Sequence, residues 1–142
     1  MNEVEAGVRQ SAERAVAALQ ARAAGRLDWT AASVDAVDEI CAEVAGYVAE
    51  LDEAVVTGLV QQLGCYLLEV ARRRHGGTYY WHPEGEQPVL VVGEPQAHVA
   101  LMTWSKVTGR VTGDEGDDLR FFLDGFAQRA ARPEAGDRVL FV

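Results

Sequence analysis

The chain has little of several things that usually announce a function. Among its 142 residues there are two cysteines, Cys41 and Cys65, and four prolines. Neither the number nor the spacing of the cysteines suggests a disulfide framework. Both fall on apolar helical positions, so buried free thiols are the better reading over a bridge between them. Long apolar runs are absent too. No stretch comes near the ~20 consecutive apolar residues that a membrane helix requires. The opening MNEVEAGVRQSAER has early acids and no apolar core, unlike a secretory signal. The expectation is a cytoplasmic protein that does not enter a membrane.

Positive charge is scarce and unevenly placed. The formal net charge is −9, with an isoelectric point near 4.7. Nucleic acid is a poor partner for such a chain, because binding it requires Lys and Arg to neutralise phosphates. Between Arg26 and Arg72 there is no Lys or Arg, while nine acids fall there, Asp38, Glu39 and Glu43 among them. A block of that length predicts a negative surface able to steer a basic protein partner. The plainer reading is a solvated face that keeps the chain soluble.

What is present reads as helices first and strands later. Residues 3–24 are Ala-rich, with a thin stripe of Val8, Ala12, Ala15, Leu19 and Ala23, and Gly25 ends the segment. We treat residues 1–26 as an N-terminal helix, with homo-oligomer assembly as one use for it, and 27–142 as one α+β domain. LDWTAAS is a connector in which Thr30 or Ser33 caps the next helix. That helix follows Val34, Val37, Ile40, Cys41, Val44, Tyr47, Val48 and Leu51, apolar on one side and acidic on the other.

Asp52 is placed to cap a third helix over 54–74 that is apolar almost all round, hence central. Gly58 and Gly64 each cost such a helix ~1 kcal/mol relative to Ala. Close approach of another backbone is the usual compensation, and it is expected near Gly64. TYYWH, PEGEQ and PVLVV then read as strand, turn and strand, a β-hairpin. AHVALMT supplies a short third strand. Trp104, Val107 and Val111 mark a short helix ended by Gly113. Acids at 114–118 open a last helix buried through Leu119, Phe122, Leu123, Phe126 and Ala130. DRVLFV can add an edge strand. The architecture expected is α+β, with N-terminal helices on a small antiparallel β-sheet and a closing C-terminal helix.

Three segments, LDWTAASVDAVDEI, LGCYLLEVARRRHGGTYYW and the Val-rich strand with the helix starts after it, resemble a family of small bacterial domains frequent in actinobacteria. The family's marks are a Leu-Asp-aromatic-x-x-x-Ser opening and a Gly-x-Tyr-Leu-x-Glu-Val helix. The likeness runs over about residues 27–131 and implies an α+β fold, with no activity attached. Leu68 departs from the pattern, standing where the family often has Gly. VALMTWSKV lacks the family's Pro-Phe.

Specific chemistry is hard to find. His75, His82 and His98 have no metal-ligand spacing, so no metal and no cofactor is expected. There is no GxSxG, P-loop or GxGxxG. Cys65 lies mid-helix, away from the electropositive, accessible places that favour a reactive thiolate. We therefore lean away from an enzyme. Glu69 is the one carboxylate in an unusual place, inside the most apolar helix. Arg72 and Arg73, three and four residues on, are its natural partners. Tyr79 and Trp81 must share one face of their strand while Tyr80 takes the other.

Two functions follow as expectations. One is a non-enzymatic, acidic protein-interaction domain, such as an immunity-like or regulatory partner of a basic protein, using Asp38, Glu39 and Glu43 with Tyr79, Tyr80 and Trp81. The other is a small-ligand binder or unrecognised enzyme with a pocket between the central helix and the sheet, lined by Tyr66, Glu69, Trp81 and Trp104.

Overall fold

The computed structural model describes residues 2–114, 116 and 118–142. Its elements, in order, are α1 (Glu3–Leu19), α2 (Val34–Ala45), α3 (Glu53–His75), β1 (Thr78–His82), β2 (Gln87–Val92), β3 (His98–Leu101), α4 (Trp104–Val111), α5 (Leu119–Ala131) and β4 (Arg138–Phe141). This is the expected α+β fold. The sheet order is β1-β2-β3-β4. The first three strands pair antiparallel, but β4 joins β3 in parallel, so the sheet is mixed. The reason is the connection. β4 is reached through α4 and α5, a crossover that returns the chain in the direction of β3, whereas a tight hairpin would reverse it.

The central helix is α3. Residues Leu63 to Ala71 are all buried, packed by α1, α4, α5 and the sheet. On average α3 is long and apolar enough to cross a bilayer, contrary to the expectation from run length. Its apolarity serves the core instead, since most of its C-terminal half has protein on every side. The N-terminal stripe is buried as expected, with Val8, Ala12, Ala15 and Leu19 facing inward. Because that stripe lies in the chain's own core, assembly through α1 would have to use its outer, polar face.

Helix α1 stops at Leu19, earlier than its composition predicts. The Gln20 side chain bridges both ways to Leu27, accepting from its N–H at 2.9 Å and donating to its C=O at 3.1 Å. That clamp holds a turn through Ala24 and Gly25, both at positive φ. Helix α2 also ends early, at Ala45, with a 3₁₀ turn over Val48–Glu50. Thr30 caps the 3₁₀ turn over Ala31–Ser33 that leads into α2. Asp52 stands at the N-cap of α3 without a side-chain hydrogen bond. Of the acids expected to open α5, Glu115 and Asp117 lie outside the described residues. Asp118 caps the helix, accepting from Phe121 N–H at 2.7 Å.

Strand alternation sorts the sheet into two faces. Tyr79, Leu90, Val92, Val99 and Leu101 join the main core beneath the helices. Val89, Val91, Ala100 and Met102 make a separate small cluster on the opposite face.

Candidate functional site

Glu69 is 1% exposed. It sits near the C-terminal end of α3, where three arginines gather. Arg72 Nε and Nη2 donate to its two oxygens at 2.6 and 3.0 Å. The Tyr79 hydroxyl donates to the same carboxylate at 2.8 Å. Burial would raise the Glu69 pKa, but the hydrogen bonds from Arg72 and Tyr79 outweigh it and hold it below the ordinary carboxylate value. The expected partnership with Arg72 is present. Tyr79 and Arg9 are additions that spacing along α3 did not reveal, because they arrive from β1 and α1.

Tyr66 is fully buried and serves the LDWTAAS connector. Its hydroxyl accepts from Trp29 N–H at 3.0 Å and lies 2.7 Å from Ser33 Oγ. Ser33 already donates to Thr30 C=O at 2.6 Å, so the proton between the two hydroxyls is Tyr66's. The rings of Trp29 and Tyr66 stack at 4.8 Å, and Arg73 covers Trp29 with its guanidinium 4.0 Å from the ring centre. Trp29 holds φ at 69°, a left-handed conformation that a bulky residue keeps only when its surroundings impose it. The stack and the Tyr66 hydrogen bond are that imposition.

The most apolar of the crevices that Trp104 lines is elsewhere. A crevice of about 350 Å³ opens between α1, α3, the β1–β2 hairpin and the start of α4. Its walls include Val4 and Val8 of α1, Cys65 of α3, Pro88, and the indoles of Trp81 and Trp104. Of the expected pocket residues, Trp81 and Trp104 line it, while Tyr66 and Glu69 do not. Glu3, Ser11 and Gln61 are its polar members. The α1 wall was not foreseen, since nothing in an Ala-rich stripe signals a cavity on its flank.

Trp104 is held in place from below. Thr103 Oγ1 donates to Gly64 C=O at 2.7 Å, anchoring the start of α4 to α3. The Trp104 indole rests on bare backbone at Gly64, where a Cβ would fall 3.0 Å from its Nε1 and closer still to Cδ1. A close neighbour was expected at that glycine, but as another backbone; what fills the space is the side chains of Thr103 and Trp104 at the start of α4. Gly58 has nothing within 4 Å of a Cβ position, so its presence in the helix has no such explanation. Among the described residues Trp104 Nε1 is buried with no hydrogen-bond partner, a cost that its packing must offset.

Along β1 the aromatics divide as alternation requires. Tyr79 is 2% exposed and faces the core, while Tyr80 on the other face is 44% exposed and donates to Glu94 at 2.7 Å. Trp81 shares the Tyr79 face but stands at its margin, 52% exposed, over the crevice.

The acidic helix is answered by arginines of the same chain. Asp38 takes Arg110 at 2.9 Å, Glu39 takes Arg26 at 2.7 Å and Glu43 takes Arg22 at 2.7 Å. Asp35 takes Arg120 at 2.9 Å. The three acids named for steering lie on one helix, with Glu39 and Glu43 drawn to the α1–α2 connection and Asp38 to α4, and they do not meet Tyr79, Tyr80 or Trp81.

Cys41 and Cys65 are free and buried. Burial pushes the Cys41 thiol up to about 12 and the Cys65 thiol up to about 11. Neither is a thiolate at neutral pH. The fully buried Cys41 thiol, which does not line the crevice, should not react with an aromatic disulfide reagent at about pH 8 before the chain unfolds. Rapid reaction of Cys41 in native buffer would show that α2 opens locally.

Among the described residues no three His, Cys, Asp or Glu side chains converge as a metal site would need. His82 Nδ1 accepts from Gly85 N–H at 2.9 Å and so belongs to the hairpin turn. His75 meets Phe126 edge-on. No protein family, curated protein or solved structure matches the chain, so the likeness to the small bacterial domains rests on its three motifs alone.

Proposed function

We propose that the protein is a non-catalytic binding module for a small, uncharged, largely apolar molecule, taken up in the crevice between α1, α3 and the hairpin. The observation that carries this is a cavity of about 350 Å³ with both Trp81 and Trp104 in its walls. That volume lies in the range of ligand pockets, which are typically mostly apolar with few polar groups. Both indoles line the one crevice, so an occupant would meet aromatic surface from β1 and from α4. Ser11 and Gln61 offer hydrogen bonds, and Glu3 disfavours an anion.

Less supports action through the acidic helix toward a basic protein. Asp38, Glu39 and Glu43 each already face an arginine. What favours protein contact is the exposure of Tyr80 and Leu140 beside the Val89 and Val91 floor of the outer sheet face.

The test uses N-phenyl-1-naphthylamine, a neutral apolar dye that fluoresces when shielded from water. The expected result is saturable binding at one site. Trp81→Ala should weaken it about tenfold, the loss of roughly 1.4 kcal/mol of aromatic contact. Gly7→Leu should abolish it, because Gly7 lines the crevice and a Cβ there meets no atom within 4 Å, which leaves room for a side chain to fill the ligand's place. Tyr80→Ala, on the other face of β1, should leave it unchanged. Unsaturable binding, or binding indifferent to both crevice variants, would remove the reading.

A further inference from the structure

Three guanidinium groups converge on Glu69, and only one of them is engaged by it. Arg72 and Tyr79 between them supply three hydrogen bonds to the carboxylate. Arg9 of α1 and Arg73 of α3 stand with Nε at 3.8 and 3.9 Å, within Coulombic reach but beyond hydrogen-bond range. Neither guanidinium donates to another protein group among the described residues. Arg73 is braced against the Trp29 ring, 4.0 Å from its centre. Arg9 and Arg73 are also open to solvent, with side chains 39% and 41% exposed. Beneath them Glu69 is buried and fixed.

The charges do not balance. Three cations face one buried carboxylate. Glu5 also acts on Arg72, from beyond ion-pair distance. This happens in a chain that is otherwise strongly acidic. A guanidinium has five N–H donors in a planar fork suited to paired oxygens, and the side chains of Arg9 and Arg73 are partly exposed with no donor taken by another group among the described residues.

We propose that Arg9, Arg72 and Arg73 form a receptor for a small phosphoryl-type oxyanion, seated on the solvent-facing donors of Arg9 and Arg73. Glu69 is the positioning residue. It draws the three guanidiniums to one point without occupying the outer two, and its single negative charge leaves a positive excess. A tetrahedral oxyanion can accept from two forks at once through different oxygen pairs and carries up to two charges. A carboxylate offers two oxygens and one charge, which suits one fork. The bracing of Arg73 on Trp29 fixes one guanidinium in advance, which lowers the ordering cost of binding. This site is separate from the crevice, and its ligand has the opposite character.

The experiment is titration of the intact chain with inorganic phosphate, followed by calorimetry and by the guanidinium Nε–H resonances of the arginines. Acetate at matched ionic strength is the carboxylate arm. Phosphate should bind saturably and move the Arg9 and Arg73 resonances. Arg9→Gln and Arg73→Gln should each weaken it at least about tenfold, the loss of one charge-assisted fork. Added sodium chloride should weaken it further. Neither variant removes a hydrogen bond within the described protein, so the thermal midpoint of Arg9→Gln should stay near the parent's, while that of Arg73→Gln should fall slightly with the loss of the Trp29 contact. Acetate binding as tight as phosphate would overturn the ligand class. Absence of saturable phosphate binding would overturn the site, as would unchanged affinity in both variants.

Discussion

Replacing Glu69 with alanine should destabilise the protein by about 3–5 kcal/mol, the usual cost of removing one partner from a buried charge pair. Folded domains are stable by only ~5–15 kcal/mol, so the variant should stand near the edge of folding. The loss has two parts. Arg72, only 22% exposed, would lose both hydrogen bonds to the carboxylate. The Tyr79 hydroxyl, within a residue 2% exposed, would be left as a buried donor without an acceptor. Tyr79→Phe separates the two, because it removes the donor and leaves the ion pair. It should cost about 1.5–3 kcal/mol, the worth of a hydrogen bond to a charged group. Urea denaturation of the two variants checks this. A loss under about 1 kcal/mol for Glu69→Ala would mean that water already reaches the carboxylate and that Arg72 is held by packing alone.

Acid should reveal the same group. The native Glu69 pKa is depressed, while in the unfolded chain it returns to about 4.3. The unfolded state therefore binds its proton first as pH falls. The stability from this carboxylate is complete above about pH 4.3 and is lost as pH falls through the lower native value. Glu69→Gln cannot titrate. The stability gap between the parent and this variant should be constant near neutrality and narrow below about pH 4. A gap that widened on acidification would reverse the sign of the shift.

Several features of this arrangement were legible along the chain because they are local. Tyr79, Tyr80 and Trp81 had to alternate on a strand. Arg72 had to lie within one turn of Glu69. Gly64, inside an otherwise apolar helix, pointed to a close neighbour. Other features depend on contacts far apart in sequence. The crevice has walls from residues 3–11, 61–65, 81–88 and 104, four segments none of which signals a cavity. The acidic block looked like an open field because no cation occurs within it. Its cations come from outside, Arg22 and Arg26 from before it and Arg110 and Arg120 from well after it. Charge counted along a chain does not show which charges fold onto each other. The parallel placement of β4 was hidden for a similar reason, since a four-residue edge strand carries no mark of its direction.

Gly64 tests whether the crevice has a firm wall. Gly64→Ala in an exposed helix would stabilise by ~1 kcal/mol through helix propensity. Here it should instead destabilise by about 1–3 kcal/mol, the range for overpacking a filled interior. The added Cβ would meet the Trp104 indole, with Thr103 Oγ1 only 3.1 Å away. Thr103 cannot easily give way, because it donates to Gly64 C=O at 2.7 Å. The indole must therefore swing from its seat, and dye binding in the crevice should weaken together with stability. Trp104→Leu should relieve the collision, so the double variant should be more stable than the sum of the single losses predicts. The coupling of two touching residues of this kind is about 0.5–3 kcal/mol and is read from a double-mutant cycle. If the two losses simply add, Trp104 does not bear on Gly64 and the wall of the crevice is not fixed by α3. If Gly64→Ala stabilises the chain, the indole moves aside without cost, and a ligand held against it would gain little from its position.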